Sequence, residues 1–317
     1  MPVVDANAES LNRAASLLRA GGVVAFPTET VYGLGADAFD AKAVARIFEI
    51  KGRPAFDPLI VHVLDEAMLR RVAADISPAA SELAARFWPG PLTLVLSKRP
   101  EVPEIVTAGL PTVAVRMPAH PVARALLELA ARPLAAPSAN PFGYLSPTRA
   151  QHVARMLGDR ADLILDGGPS DFGLESTIVR LTPRPELLRR GAIAVEEIEA
   201  VAGPLSEPEG EASPLSPGRL PQHYAPATPV RIVEFAAVPS DDRAGAAALA
   251  FRDAPAGYAH VRVLSERGEL REAAARFFEC MHDLDAAGPS RIDAEPLPET
   301  GLGAAMMERL RRAVASA

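Results

Sequence analysis

Over the first two hundred residues, short β-forming runs alternate with longer amphipathic stretches, a pattern that confines this part of the chain to an α/β or α+β fold. The strand candidates are Val23–Phe26, Leu59–Val63, Leu92–Leu96, Thr112–Arg116, Leu163–Leu165, Thr177–Leu181 and Glu186–Arg189. Between them lie helix candidates at Ser10–Ala20, Ala41–Ile50, Pro78–Phe87, Val122–Ala130 and Thr148–Leu157. In the second of these, Asp40 is placed to cap the N-terminus and Val44, Ile47 and Phe48 share a face. Gly52 and Pro54 then stop it.

A change of composition divides the chain after this region. From Gly203 to about Pro229 it reads GPLSEPEGEASPLSPGRLPQHYAPATP, too poor in apolar residues to fold alone and suited to an extended linker. The stretch nonetheless carries Arg219, His223 and Tyr224, so part of it either docks onto a domain or acts as a spacer. Beyond it, strand candidates at Val230–Phe235, Ala247–Phe251, Val261–Leu264 and Ile292–Glu295 are joined by helix candidates at Glu272–Leu284 and Leu302–Val314. The expected organisation is therefore a first domain over 1–202, a Pro-rich linker or lid over 203–229, and a small open α/β domain over 230–317.

Several classes are disfavoured at once. No apolar run reaches the roughly 18 to 20 residues of a membrane span, and Asp5, Glu9 and Arg13 break up any signal-like start. A cytoplasmic location with no membrane contact is expected. The single cysteine, Cys280, excludes an intramolecular disulfide and a Cys-based zinc site, and reads as a small buried residue on a helix. A net charge of −7 supplies no global drive toward nucleic acid, although it leaves room for a local basic patch.

The polar motifs are individually ordinary. PTETVYGLG (27–35) follows a strand as a hydroxyl- and glycine-rich loop in which Thr28, Thr30 and Tyr32 offer donors and acceptors. In IKGRPAFDPLIVHV (50–63), Lys51 and Arg53 are either helix-terminal charges or two cations converging on a phosphate chain. His62 lies in an apolar strand. Arg116 ends another, where a buried charge calls for an anionic partner, either an internal carboxylate or that of a substrate. APSANPFGYLSPT (136–148) brings Ser138, Asn140 and Ser146 onto a loop stiffened by prolines. LESTIVRL places Ser176 and Thr177 at a strand entrance, and LLRRGAI presents Arg189 and Arg190 before Gly191.

In this order and spacing, PTETVYGLG, KGRP before PLIVHV, VRMP, SAN, ESTIV, LRRGAI and then SPG with HYAP resemble the long, two-domain form of the YrdC-like threonylcarbamoyl-AMP synthases. The resemblance runs from about Asn7 to the C-terminus and includes GLGAAMMERLRRA (301–313). It implies an α/β fold: a YrdC-like twisted mixed sheet followed by a smaller Rossmann-like open α/β domain. It also implies synthesis of L-threonylcarbamoyladenylate and pyrophosphate from L-threonine, bicarbonate and ATP, with Mg2+ accompanying ATP. The product would pass to a tRNA threonylcarbamoyl transferase, and weak tRNA binding is compatible with the family.

Carried over by position, Thr30, His62, Arg116, Ala136 and Ser176 would surround threonine. Arg53, Asp57, Thr112, Ser138, Asn140, Ser146, Arg190 and Tyr224 would contact ATP, with Lys51 and Arg53 as the catalytic cations. Asp57 stands where the family commonly has asparagine, and beside a triphosphate its carboxylate requires an intervening arginine or magnesium ion. No nucleophile–base pair of the Ser-His-Asp kind is visible, so no covalent intermediate is expected. The alternatives are an RNA-binding module without catalysis and the carbamoyl transfer of hydrogenase maturation. A single cysteine excludes the Cys-rich zinc segments of the latter.

Overall fold

A computed structural model of the chain describes residues 3–208 and 224–315. The first part forms one mixed sheet from β1 (Val3–Asp5), β2 (Val24–Phe26), β3 (Gly33–Asp37), β4 (Ile60–His62), β5 (Ala73–Asp75), β6 (Leu92–Lys98), β7 (Thr112–Arg116), β8 (Leu134–Ala135), β9 (Leu163–Asp166), β10 (Thr177–Arg180) and β11 (Glu186–Arg189). The strands pair in the order β1-β9-β2-β3-β8-β4-β7-β6-β10-β11, with β5 attached to β6. β4 runs parallel to β7 with His62 paired to Arg116, so these two side chains emerge together at one end of the sheet.

Helices α1 (Ala8–Arg19), α2 (Ala41–Lys51), α3 (Glu66–Val72), α4 (Pro78–Phe87), α5 (Glu104–Thr107), α6 (Pro121–Ala130), α7 (Ala150–Leu157) and α8 (Val195–Ala202) connect the strands. Strand alternation divides the apolar side chains between two cores. Val24 and Phe26 of β2 join Leu18, Leu126 and Leu127 from α1 and α6. Ala25 joins Ile47 of α2 and Val153 of α7 on the other face. Asp40 accepts from Lys42 N and Ala43 N at 2.9 and 3.1 Å, the expected cap of α2.

Part of PTETVYGLG departs from the loop expected of it, because Gly33–Asp37 is strand β3. Glycine ordinarily weakens a strand, but the Phe26 ring lies across this one. A Cβ on Gly35 would stand 2.6 Å from Phe26 Cε1, so only glycine lets the two strands pair. The short strands β1, β5 and β8 and the helices α3, α5 and α8 are additions that the residue pattern alone does not mark.

The second sheet contains β12 (Val230–Ile232), β13 (Ala247–Ala250), β14 (His260–Val263) and β15 (Ile292–Ala294), all pairs parallel, in the order β12-β15-β13-β14. Helices α9 (Leu270–Ala286) and α10 (Gly301–Val314) pack on it and also reach the first part of the chain. Phe277, Phe278, Met306 and Leu310 share one apolar cluster with Val31, Leu145, Leu174 and Ala192. Cys280 is buried on α9, and burial pushes its thiol up to about 11. Among the described residues no helix is long and apolar enough to cross a membrane.

Candidate active site

Ends of several sheet elements converge on one cavity. Its wall draws Thr30 from the β2–β3 connection, His62 from β4, Arg116 from β7, Ala136 and Ser138 from the segment after β8, and Ser176 from the approach to β10. Arg53, Glu175, Arg189 and Tyr224 complete it. The five residues that the family resemblance assigns to threonine therefore share one wall.

Arg116 is 3% exposed and finds an internal anion. Its Nη2 lies 2.7 Å from Glu29 Oε1, while Nη1 donates to Thr30 Oγ1 at 2.7 Å and Nε to Gly90 O at 3.2 Å. A guanidinium carries five N–H groups, so capacity remains for an incoming carboxylate. Burial pushes the Glu29 carboxyl up, but Arg116 and backbone donors together outweigh it and hold Glu29 below the usual range. Thr30 is steadied in turn by Thr28, whose Oγ1 is 2.8 Å from its own. Burial, reinforced by the Arg116 charge, pulls His62 down to about 3, so its ring is neutral and offers a hydrogen bond rather than a charge.

Ser176 Oγ is 2.7 Å from Thr93 Oγ1 and receives Arg189 Nη2 at 3.0 Å. Ala192 N donates to Glu175 O at 2.9 Å, drawing the LRRGAI segment across ESTIV. A Cβ on Gly191 would stand 2.4 Å from Glu175 O and Ser176 C, which explains the glycine between Arg190 and Ala192.

The cations do not all arrive where the sequence places them. Arg53 Nη2 pairs with Asp57 Oδ2 at 2.8 Å, and its N–H groups also donate to Asp57 O and Pro58 O. Lys51, 3% exposed, donates from Nζ to Ser138 O, Asn140 O and Asn140 Oδ1, and so braces the segment after β8 from behind the cavity. Burial and the Arg53 charge hold its ammonium well below its ordinary value. Asn140 donates onward to Tyr144 O, and Ser146 Oγ donates to Glu175 Oε1, so both organise this loop.

Arg190 lies outside the cavity, paired with Glu207 at 2.8 Å, and its neighbour Arg189 takes the inward place. Successive residues leaving a strand face opposite ways, which a dipeptide of two arginines does not resolve. Thr112 opens β7 opposite Ser97, at the far end of the strand from Arg116, and does not line the cavity. Tyr224 is docked in the wall with φ 68, whereas Arg219 and His223 lie outside the described residues. Glu29 and Glu175 escaped the sequence reading. Their only signal was a carboxylate inside an otherwise uncharged motif, at PTET and LEST.

Asp57 does not fit a protein-held magnesium. Its buried carboxylate faces Arg53 with Lys51 close by, and no group of three or more His, Cys, Asp or Glu among the described residues could hold a metal. The arginine anticipated as the mediator at this position is Arg53 itself. Among the described residues, no serine or threonine lining the cavity is hydrogen-bonded to a histidine. What the wall offers is a carboxylate-binding arginine beside two further arginines, among small hydroxyls and a neutral imidazole.

Comparison with known proteins gives the same picture at the level of the whole chain. The Sua5/YciO/YrdC family profile, described as telomere recombination, matches residues 16–191, and the profile of the threonylcarbamoyl-AMP synthase C-terminal domain matches residues 193–315. A threonylcarbamoyl-AMP synthase of Pyrococcus abyssi is 44% identical over 95% of this chain and 92% of its own, and one of Bacillus subtilis is 42% identical over 97% and 93%. The crystal structure of P. abyssi Sua5 complexed with L-threonine superposes with a TM-score of 0.90 at 42% identity, covering 97% of this chain and 95% of that one. Two family profiles in tandem and similarity along nearly the full length lead to one conclusion: the chain belongs to the threonylcarbamoyl-AMP synthase family.

Proposed function

We propose that the protein makes L-threonylcarbamoyladenylate and pyrophosphate from L-threonine, bicarbonate and ATP, for threonylcarbamoyl modification of tRNA adenosine. The observation that carries this reading is Arg116, with spare N–H groups and neighbours Thr30, His62 and Ser176, in the same wall as Arg53 and Arg189. An amino-acid carboxylate and a phosphate chain are the two anions such a wall suits. The bound L-threonine of P. abyssi Sua5 supports the first of these assignments.

In the proposed reaction the threonine nitrogen adds to bicarbonate-derived carbon dioxide and loses a proton, giving a carbamate. A carbamate oxygen then attacks the α-phosphorus of ATP, and the bond to pyrophosphate breaks. Thr30, His62, Arg116, Ser176 and the Ala136 backbone hold threonine. Arg53, Ser138 and Tyr224 meet ATP, with Arg189 in the place first assigned to Arg190. The cations stabilise the charge that develops on the phosphates, and holding the two substrates together supplies the rest of the acceleration. Mg2+ enters as part of the Mg·ATP substrate. The product passes, in the cytoplasm, to a tRNA threonylcarbamoyl transferase.

The test is to incubate purified protein with Mg·ATP, bicarbonate and each amino acid in turn, measuring pyrophosphate and AMP conjugates by mass. Both should form only when threonine and bicarbonate are present together. Equal pyrophosphate release with serine, or with no amino acid, overturns the assignment.

A further inference from the structure

Arg309 heads the fully buried side chains by volume, at 1% exposure, although it belongs to α10 and not to the large sheet. Its Nη2 and Nε both donate to Glu175 Oε2, at 2.9 and 3.1 Å, and Nη1 donates to Ala305 O at 3.0 Å. The other Glu175 oxygen accepts from Ser146 Oγ. The guanidinium carbon stands 5.2 Å from the Tyr224 ring centroid, and Phe278 of α9 meets the same ring at 5.8 Å. Glu175 and Tyr224 line the cavity, whereas Arg309 stands behind them.

Replacing a buried ion pair by apolar residues of similar volume is often neutral or stabilising, so stability alone is a weak reason for an arginine at this place. An apolar side chain could not, however, aim the Glu175 carboxylate or offset its charge. An uncompensated carboxylate in this wall would repel a phosphate chain. We infer that Arg309 is a positioning residue of the active site, supplied by the C-terminal part of the chain: it neutralises and orients Glu175, fixes the Tyr224 ring, and through Glu175 holds the Ser146 hydroxyl. His282 of α9 secures the same loop, with Nε2 3.1 Å from Ser146 O. The helices packed on the second sheet thereby support the nucleotide side of the cavity from behind. This inference deepens the proposed function and rests on it for the identity of the nucleotide.

The experiment compares full-length wild type with Arg309→Met, Arg309→Lys and the double variant Arg309→Met/Glu175→Gln. ATP and threonine affinities are read by calorimetry, turnover by pyrophosphate release, and folding by thermal melting. Arg309→Met should weaken ATP binding by about tenfold or more and change threonine affinity by less than about twofold, and the double variant should recover most of the loss, because coupled residues are non-additive. If Arg309→Met does not fold, Arg309→Lys decides, since it keeps the charge but not the two-pronged contact. Wild-type ATP affinity in a folded Arg309 variant overturns the inference. So does an equal loss of ATP and threonine binding that follows the melting temperature. Wild-type protein that binds ATP but releases no threonine-dependent pyrophosphate refutes the proposed reaction, while the ATP affinities still decide the role of Arg309.

Discussion

Arg53 Nη2 lies 2.8 Å from Asp57 Oδ2, and neither side chain has appreciable access to solvent. The pair places a carboxylate beside a cation assigned to phosphate, and the two substitutions that break it should differ. Arg53→Ala strands a buried carboxylate and should cost about 3–5 kcal/mol of stability as well as activity. Asp57→Asn leaves Arg53 its bonds to Asp57 O and Pro58 O, because these are backbone acceptors. It should cost no more than about 1–2 kcal/mol and tighten ATP binding. Urea denaturation with calorimetry checks both; weaker ATP binding in Asp57→Asn would show that the carboxylate assists the nucleotide.

Arg116→Met should impair the use of threonine more than it unfolds the protein. It removes the guanidinium shared by Glu29 and Thr30, and losing one partner of a buried charged pair costs about 2–5 kcal/mol. The kcat/KM for threonine should fall by about 10²-fold or more. Steady-state kinetics at saturating ATP would detect it, and an unchanged value would remove Arg116 from the substrate site.

Lys51→Met should act through the loop it braces. Ser138 O and Asn140 O would lose their donor, at roughly 1–3 kcal/mol for each group left buried and unsatisfied. A tenfold or larger rise in the KM for ATP, ~10 being the scale of one such contact, is expected with threonine affinity little changed. A drop in kcat alone, with KM for ATP intact, would mean that Nζ meets the reacting phosphates directly.

The His152 and His282 rings stack with centroids 4.0 Å apart where α7 meets α9. Burial pulls His152 down to about 3, with His282, Arg155 and Arg149 adding to the effect, and His282 down to about 4, where Ser146 O, Asp285 and Asp283 oppose it. Both are neutral in the fold at pH 7. As pH falls below the ordinary value of 6.5, the unfolded chain takes up protons that the folded chain refuses, so stability is lost from about 6.5 down to about 4 for His282 and about 3 for His152. His62, pulled down to about 3, adds to the same window. Buried carboxylates held below their usual range, such as Glu175, add loss only below about 4.5. His282→Gln should therefore flatten the dependence of melting temperature on pH between 6.5 and 4.5. A slope identical to wild type would show that the ring is not buried neutral.

A fragment ending at Ala202 should be poorly soluble. It exposes Val31, Leu145, Leu174 and Ala192, which are covered by α9 and α10, and leaves Glu175 without Arg309. Thermal melting and light scattering test this. A monomeric fragment with wild-type ATP affinity would show that the C-terminal part is only tethered to the site.

Much of this molecule was legible in its sequence. The strands Thr112–Arg116 and Glu186–Arg189 and the helix Pro78–Phe87 have the ends that their apolar patterns and breakers marked, because hydrophobic period and local caps act within a few residues. The motifs marked Thr30, Arg53, His62, Arg116, Ser138 and Ser176, and the fold brings all six to one cavity. The β3 strand was hidden because its glycines answer to Phe26, a residue on another strand, rather than to their own neighbours. Charge identity was local information too, but charge partnership was not. Arg116 needed an anion by its burial alone; that the anion is Glu29 depends on how β7 meets the segment after β2. Likewise Arg189 and Arg190 are equivalent as letters, and only the direction of the chain leaving β11 turns one inward and the other toward Glu207. The pairing of Glu175 with Arg309 spans 134 residues, and a contact across that separation is decided by how two sheets dock. Periodicity and motif chemistry thus determined the elements and the kind of site, while packing across long separations determined which charges meet, because electrostatic partnership depends on distance in space and not along the chain.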